Sequence, residues 1–313
     1  MRHRRRQAAP IRARRGLAAA LVVAAVALLV GCGKPAGVDA VLVDDWRPML
    51  APTGVTPEAG ACHIAGFSDV GFRSAYETVD CTTAHRTETA FVGEFEGVAA
   101  TATAPPAKGS PAAKAAYQEC DQKTVDYVGG QWRTSRLWLG VVQPSPAAWS
   151  GGSRWYRCEL LEVSSVEDDG DLVLRTGSLR DVLKRPAPAL QLSCYAVRTN
   201  AGGGIDTMPP ASCAKPHNAE FVGLWTAPDL PYPKAGDDWE RFHDGCRTRI
   251  ATHVGVPDDA NLEFRVGVVS LPGGEDVWQA GDRYVRCYLW LDGAKLTSSL
   301  KGRGAKALPV QYE

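Results

Sequence analysis

Two pairs of residues have the types and spacing to do chemistry: His85 with Glu88, and His217 with Glu220. An imidazole three residues from a carboxylate is half of a metal site, or an acid/base pair able to pass a proton near neutral pH. Each His follows a cysteine by four residues (Cys81, Cys213), and each pair has an arginine further along, Arg154 or Arg283, able to hold a carboxylate. His85, Glu88, Arg154, His217, Glu220 and Arg283 are therefore the candidate ligand-binding residues. The competing reading is structural: the His satisfies backbone groups in a turn beside a disulfide, and the Glu pairs with the Arg of a late strand. Because both pairs keep the same offset from a cysteine, the structural reading is favoured, and no residue is assigned as catalytic.

Other chemistry finds no support. The chain has no G-x-S-x-G elbow, H-E-x-x-H, phosphate loop or C-x2-C pair, so neither a cofactor nor a metal is expected. Glu167-Asp168-Asp169-Gly170-Asp171 lacks the spacing of a calcium loop and reads as an acidic turn. Gly202-Gly203-Gly204 reads as a loop between strands. Trp132, Trp138, Trp149, Trp155, Trp225, Trp239, Trp278 and Trp290 divide between core and an exposed platform for glycan or protein in a proportion that composition does not fix.

The elements that must position these residues come in duplicate. Cys62, Cys81, Cys120 and Cys158 are spaced by 19, 39 and 38; Cys194, Cys213, Cys246 and Cys287 by 19, 33 and 41. Cys81-x3-His85-x2-Glu88 matches Cys213-x3-His217-x2-Glu220. Phe91-Val92-Gly93 matches Phe221-Val222-Gly223 with two extra residues after Glu88, and Tyr127-Val128-Gly129 matches His253-Val254-Gly255. Trp149, Gly152, Arg154, Arg157 and Cys158 share a register with Trp278, Gly281, Arg283, Arg286 and Cys287, and Gly177-Ser178-Leu179-Arg180 with Ser298-Ser299-Leu300-Lys301.

Apolar residues three or four apart around Cys120 and Cys246, each run closed by a Gly, predict helices with a Gly C-cap. TAFVGEF, WLGVVQP and RWYRCELLEV, with AEFVGLW, FRVGVVSLP and RYVRCYLWL, read as strands, the last two of each set separated by a Pro/Gly turn. The expected fold class is α+β: two tandem disulfide-stapled β-β-α-β-β domains, residues 58–182 and 190–304, joined by linker 183–189, with a tail at 305–313. Duplication confines disulfides to their own unit, and the element order favours Cys62 with Cys81, Cys120 with Cys158, Cys194 with Cys213, and Cys246 with Cys287.

The N-terminus gives the address. Residues 1–31 combine seven Arg and no acid with the apolar stretch Leu17–Val30, which is the order of an export signal. Fourteen residues span about 21 Å as a helix, short of the roughly 30 Å of a bilayer core. Leu29-Val30-Gly31-Cys32 resembles the lipobox of bacterial lipoproteins, in which the signal is cut before a cysteine that carries acyl chains. Cys32 is the expected lipidation site and residues 32–57 the tether, which place the body on the extracytoplasmic face of the cell membrane. Beyond residue 31 the chain has 28 basic and 35 acidic residues, a net of −7, so nucleic acid is not an expected partner.

Taken together, Gly60-Ala61-Cys62, Val79-Asp80-Cys81 with His85 and Glu88, the helix carrying Cys120 and ending in Tyr127-Val128-Gly129, Trp149, Gly152-Ser153-Arg154 before Cys158, and the closing Gly-Ser-Leu-Arg resemble the actinobacterial septum-formation domain family. The resemblance covers residues 58–182 and again 190–304, and the second unit departs in reading Leu192-Ser193-Cys194 where the first reads Gly60-Ala61-Cys62. It implies an extracytoplasmic domain involved in cell division and names no reaction. The expected function is a non-enzymatic envelope lipoprotein that binds a protein or glycan partner. The alternatives are a cell-wall hydrolase or amidase using the His and Glu pairs, and an extracytoplasmic carrier of a small ligand or metal.

Overall fold

The computed structural model describes residues 55–71, 76–167, 170–185 and 189–311. The export signal, Cys32, most of the tether, and Asp168 and Asp169 of the acidic turn lie outside the described residues. Among the described residues no helix is long and apolar enough to cross a membrane.

The chain is mixed α+β. Its first half forms β1 (Cys62–His63), β2 (Val70–Gly71), β3 (Thr78–Val79), β4 (Thr87–Glu94), α1 (Gly97–Thr101), α2 (Pro111–Val128), β5 (Leu137–Pro144), α3 (Pro146–Ser150) and β6 (Trp155–Glu162). The second half forms β7 (Cys194–Tyr195), β8 (Arg198–Thr199), β9 (Ile205–Thr207), β10 (Pro210–Ala211), β11 (Ala219–Thr226), α4 (Gly236–Val254), β12 (Gly267–Pro272), α5 (Glu275–Gln279) and β13 (Tyr284–Trp290). One sheet runs β3-β1-β4-β6-β5-β2 and the other β10-β7-β11-β13-β12, so five strands follow the same order in both. The additions are β2, which lies parallel on β5, and the β8–β9 ribbon, whose Gly202-Gly203-Gly204 loop is folded by Asn200 accepting from Gly202 and Gly204.

The long helices form for the reasons their sequences give. Ser110 caps α2 by accepting from the Ala113 amide, Pro111 occupies its first turn, and Gly129 at φ 78° closes it. Gly255 at φ 81° closes α4. Ala116, Cys120, Thr124 and Tyr127 form the buried stripe of α2, and Phe242, Cys246, Ile250 and Val254 that of α4. Against these stripes lie Cys158 and Leu160 of β6, and Val285, Cys287 and Leu289 of β13. The disulfides join Cys62 to Cys81, Cys120 to Cys158, Cys194 to Cys213 and Cys246 to Cys287, so each long helix is bonded to the last strand of its half.

Two expectations need correction. The two extra residues placed after Glu88 do not exist in the strand register. Glu88 and Glu220 are both the second residue of an eight-residue strand, and both strands carry a bulge before the residue facing the disulfide Cys. That residue is Phe91 opposite Cys158 in one sheet and Gly223 opposite Cys287 in the other, so matching the two Phe-Val-Gly runs by letter slides the strands by two places. A slide of two preserves the inside/outside pattern, which is why the letters agree.

Second, the expected turn before the last strand is a helical turn. Ser145 caps α3 and Pro146 starts it, Glu275 and Asp276 open α5, and the two turns bury Trp149 and Trp278 as plugs. The division of the eight tryptophans that composition left open is also decided: Trp132, Trp149, Trp155 and Trp278 are buried, and Trp138, Trp225, Trp239 and Trp290 are half-buried.

The register also explains an exchange of bulk. A Cβ on Gly93 would meet the Tyr156 ring at 2.3 Å, and one on Gly245 would meet Trp225 at 2.1 Å. Trp225 takes the strand place of Gly93, Val285 that of Tyr156 and Gly245 the helix place of Glu119, so the large ring moves from one strand to its neighbour. Volume is conserved while its donor changes.

Candidate functional site

The sequence-predicted pairs are positioned by the second strand residue and by the chain's return after the last strand. Glu88 lies on β4 opposite Cys62 of β1, and Glu220 on β11 opposite Cys194 of β7. The backbone of His85 exchanges hydrogen bonds with Arg175, and that of His217 with Leu296, which brings the closing Ser-Leu segment over each carboxylate. Glu88 accepts from the Tyr127 hydroxyl at 2.5 Å, the Ser178 hydroxyl at 2.5 Å and the Leu179 amide at 2.7 Å. Glu220 accepts from the Leu300 amide at 2.8 Å, the Ser299 hydroxyl at 2.7 Å and His253 Nε2 at 3.1 Å. Tyr127 and His253, unlike in chemistry but matched in place at the end of each long helix, thus perform one task.

The imidazoles are held as firmly. Nδ1 of His85 faces Thr83 O, and Nδ1 of His217 faces Lys215 O, each at 2.8 Å. Nε2 of His217 lies 3.4 Å from Glu220, and Nε2 of His85 lies 3.9 Å from Glu88 with no hydrogen-bond partner among the described residues. Burial alone would raise the Glu220 pKa, but the hydrogen bonds of His253, Ser299, Leu300 and His217 outweigh it and hold the carboxyl below its usual value. Burial raises Tyr127 first and the bond to Glu88 next, to about 12, so this hydroxyl stays a donor.

All four residues of the two pairs are at most 2% exposed. They tie the closing segment of each half onto its sheet and present nothing to solvent. The donor atoms of Cys62, His85 and Glu88, and of Cys194, His217 and Glu220, lie within 4.8 Å of one another. A cation there would have to displace bonds already made, because each sulfur is in a disulfide and each carboxylate accepts at least three hydrogen bonds.

Arg154 and Arg283 do not pair with these carboxylates, which corrects the structural reading in one part. Arg154 stacks on Trp149 and donates to Trp149 O, Ser153 O and Ala100 O. Arg283 stacks on Trp278 and donates to Trp278 O, Asp282 O and Asp229. Both seal the helical turns α3 and α5, whose C-terminal carbonyls attract a guanidinium.

Sequence reading passed over two further clusters. In the first sheet, on the face away from α2, His63 Nε2 lies 3.1 Å from the Thr89 hydroxyl, which donates at 2.5 Å to Glu159, itself 3.1 Å from Arg157. All four are buried, and burial leads in pushing the His63 pKa down. The matched face of the second sheet is aromatic: Tyr195 and Phe221 pack on Tyr288, whose hydroxyl donates to Glu167 of the first half. The signal was present as repeat mismatches, Cys62-His63 against Cys194-Tyr195 and Cys158-Glu159 against Cys287-Tyr288.

The other cluster joins the halves. Nε and Nη2 of Arg133 donate to one oxygen of Asp282 at 2.9 and 2.8 Å, and Nη1 donates to Asp121 at 2.5 Å. The guanidinium lies between the rings of Trp132 and Tyr284, and Tyr117 also donates to Asp282. Burial opposes the Arg133 charge, but Asp282 and Asp121 more than offset it and raise its pKa further.

Beside this link opens a cleft of about 520 Å³, with Phe67, Tyr117 and Trp138 from the first half and Tyr232, Tyr284 and Arg286 from the second in its walls. It shares Phe67, Tyr117, Trp138, Leu139 and Val277 with a neighbouring apolar cavity of about 280 Å³. Together they have the size and mixed lining of a small-ligand site.

Comparison with protein families matches residues 59–287 to a model described as septum formation. No curated protein and no solved structure matches the chain.

Proposed function

The chain belongs to the septum-formation family, and on that premise we propose that it is a non-enzymatic binding protein of the cell envelope, acting in septum formation. In this reading residues 1–31 direct export, acyl chains on Cys32 hold the protein to the extracytoplasmic face of the membrane, and residues 32–57 tether a body of two tandem domains, 58–182 and 190–304. Binding takes place in the cleft between the halves.

The observation that carries the reading is the division of labour among the polar groups. The His and Glu pairs, which both halves share, are shut inside and spent on holding the closing segments. The accessible cleft is walled by both halves and lined by half-buried aromatic rings, and the Arg133–Asp282 link fixes its walls relative to each other. A rigid aromatic-lined cleft suits recognition.

A fluorescent fusion of the full chain tests this in dividing cells. It should concentrate at the forming septum, and Trp138→Ala should spread it over the membrane at unchanged abundance. Uniform distribution of the unmodified fusion would overturn the septal reading. A Trp138→Ala fusion that still concentrates at the septum would remove the cleft from it.

A further inference from the structure

We infer that the cleft takes an oligosaccharide carrying N-acyl groups; the inference rests on the binding reading above and names the ligand class. The walls combine two properties. Phe67, Trp138, Tyr232 and Tyr284 are half-buried, so each leaves part of a ring accessible. The polar ends of the same walls are uncommitted: the Trp138 indole N–H, the Tyr232 and Tyr284 hydroxyls and the terminal nitrogens of Arg286 make no hydrogen bond among the described residues, although Arg286 Nε is anchored on Arg133 O at 3.0 Å.

Flat apolar faces edged by donors complement a ligand with flat C–H faces edged by oxygen acceptors, which is the description of a pyranose chain. A peptide added along a strand would need an open ladder of backbone groups, and these wall groups are side chains.

The neighbouring cavity supplies the acyl part. Beyond Trp138 the lining turns to Ala113, Val141, Pro144, Val277 and Ala280, with the Lys108–Asp69 ion pair among its residues. An apolar recess beside the ring-stacking row accommodates a methyl group carried on an amide. A bare hydroxyl would leave it unfilled.

The rings are held for this purpose without the ligand. Phe67 packs edge-on against Trp138 at 4.7 Å, and Tyr284 is stacked on the immobilised Arg133. A preformed wall loses little conformational freedom on binding.

The test is calorimetric titration of the full lipidated chain in detergent with the β-1,4 tetramer of N-acetylglucosamine and with the β-1,4 tetramer of glucose, alongside tryptophan fluorescence. The acylated tetramer should bind at least about tenfold more tightly, a difference of about 1.4 kcal/mol, and shift the emission. Tyr284→Phe, which keeps the ring and loses the hydroxyl, should weaken it several-fold. Ala280→Phe should erase the preference for the acylated tetramer while leaving the melting temperature within a few degrees. Equal binding of the two tetramers, binding of neither, or full preference retained in Ala280→Phe would overturn the assignment. If neither tetramer binds while Trp138→Ala still disperses the septal fusion, the glycan class falls and the binding role stands. If Trp138→Ala leaves both titration and localisation untouched, the cleft is neither the glycan site nor the septal determinant, and its assignment falls in both.

Discussion

Asp282→Asn breaks the link between the halves at its most buried point. Arg133 is 2% exposed and Asp282 6%, and the carboxylate receives two bonds from the guanidinium and one from Tyr117. Removing one member of such a pair costs about 3–5 kcal/mol, because the remaining charge is left in a poorly solvated place. Asp121 still accepts from Arg133, so the lower end, about 3 kcal/mol, is expected. For a body of this size that lowers Tm by about 6–12 °C. Urea unfolding followed by near-ultraviolet circular dichroism is the assay, with Arg133→Met and the double variant completing a cycle. The double variant should cost about 1–3 kcal/mol less than the sum of the two single variants, since it leaves no unpaired charge. A single variant costing less than about 1 kcal/mol, or strict additivity in the cycle, would refute the argument that this buried pair joins the two halves.

Three further outcomes follow from named residues. Glu220→Gln should matter at neutral pH and cease to matter in acid: the folded carboxyl lies below its usual 4.5, so its contribution is present above that value and is lost as pH falls through the folded pKa; parallel urea midpoints of the two proteins from about pH 7 to pH 3 should converge. Cys120→Ser with Cys158→Ser opens a 38-residue separation and should cost about 4 kcal/mol in the chain-entropy account, read from the same unfolding curves; a loss under about 1 kcal/mol would contradict it. Cys32→Ser should abolish acylation and leave uncut or shed protein, and a variant that fractionates with membranes as before would end the lipoprotein reading.

The cysteine spacing, the Gly-closed helices around Cys120 and Cys246 and the alternating strands suffice for the α+β class and a set of local disulfides. These are near-neighbour properties: a Gly at φ near 80° ends a helix whatever surrounds it, and a repeated cysteine spacing confines its own partners. The His and Glu pairs were legible as pairs for the same reason.

Their partners were not. Tyr127 and His253 reach Glu88 and Glu220 from 39 and 33 residues away, and Arg133 reaches Asp282 across 149. No local pattern encodes such distances. The strand register likewise depended on a bulge in each sheet, which letters cannot reveal because a two-residue slide leaves every side chain on its own face. Tertiary structure therefore decided which polar groups are spent inside and which stay free. It buried the conspicuous His and Glu residues, and it assembled the cleft from rings and an arginine that no spacing in the chain brings together.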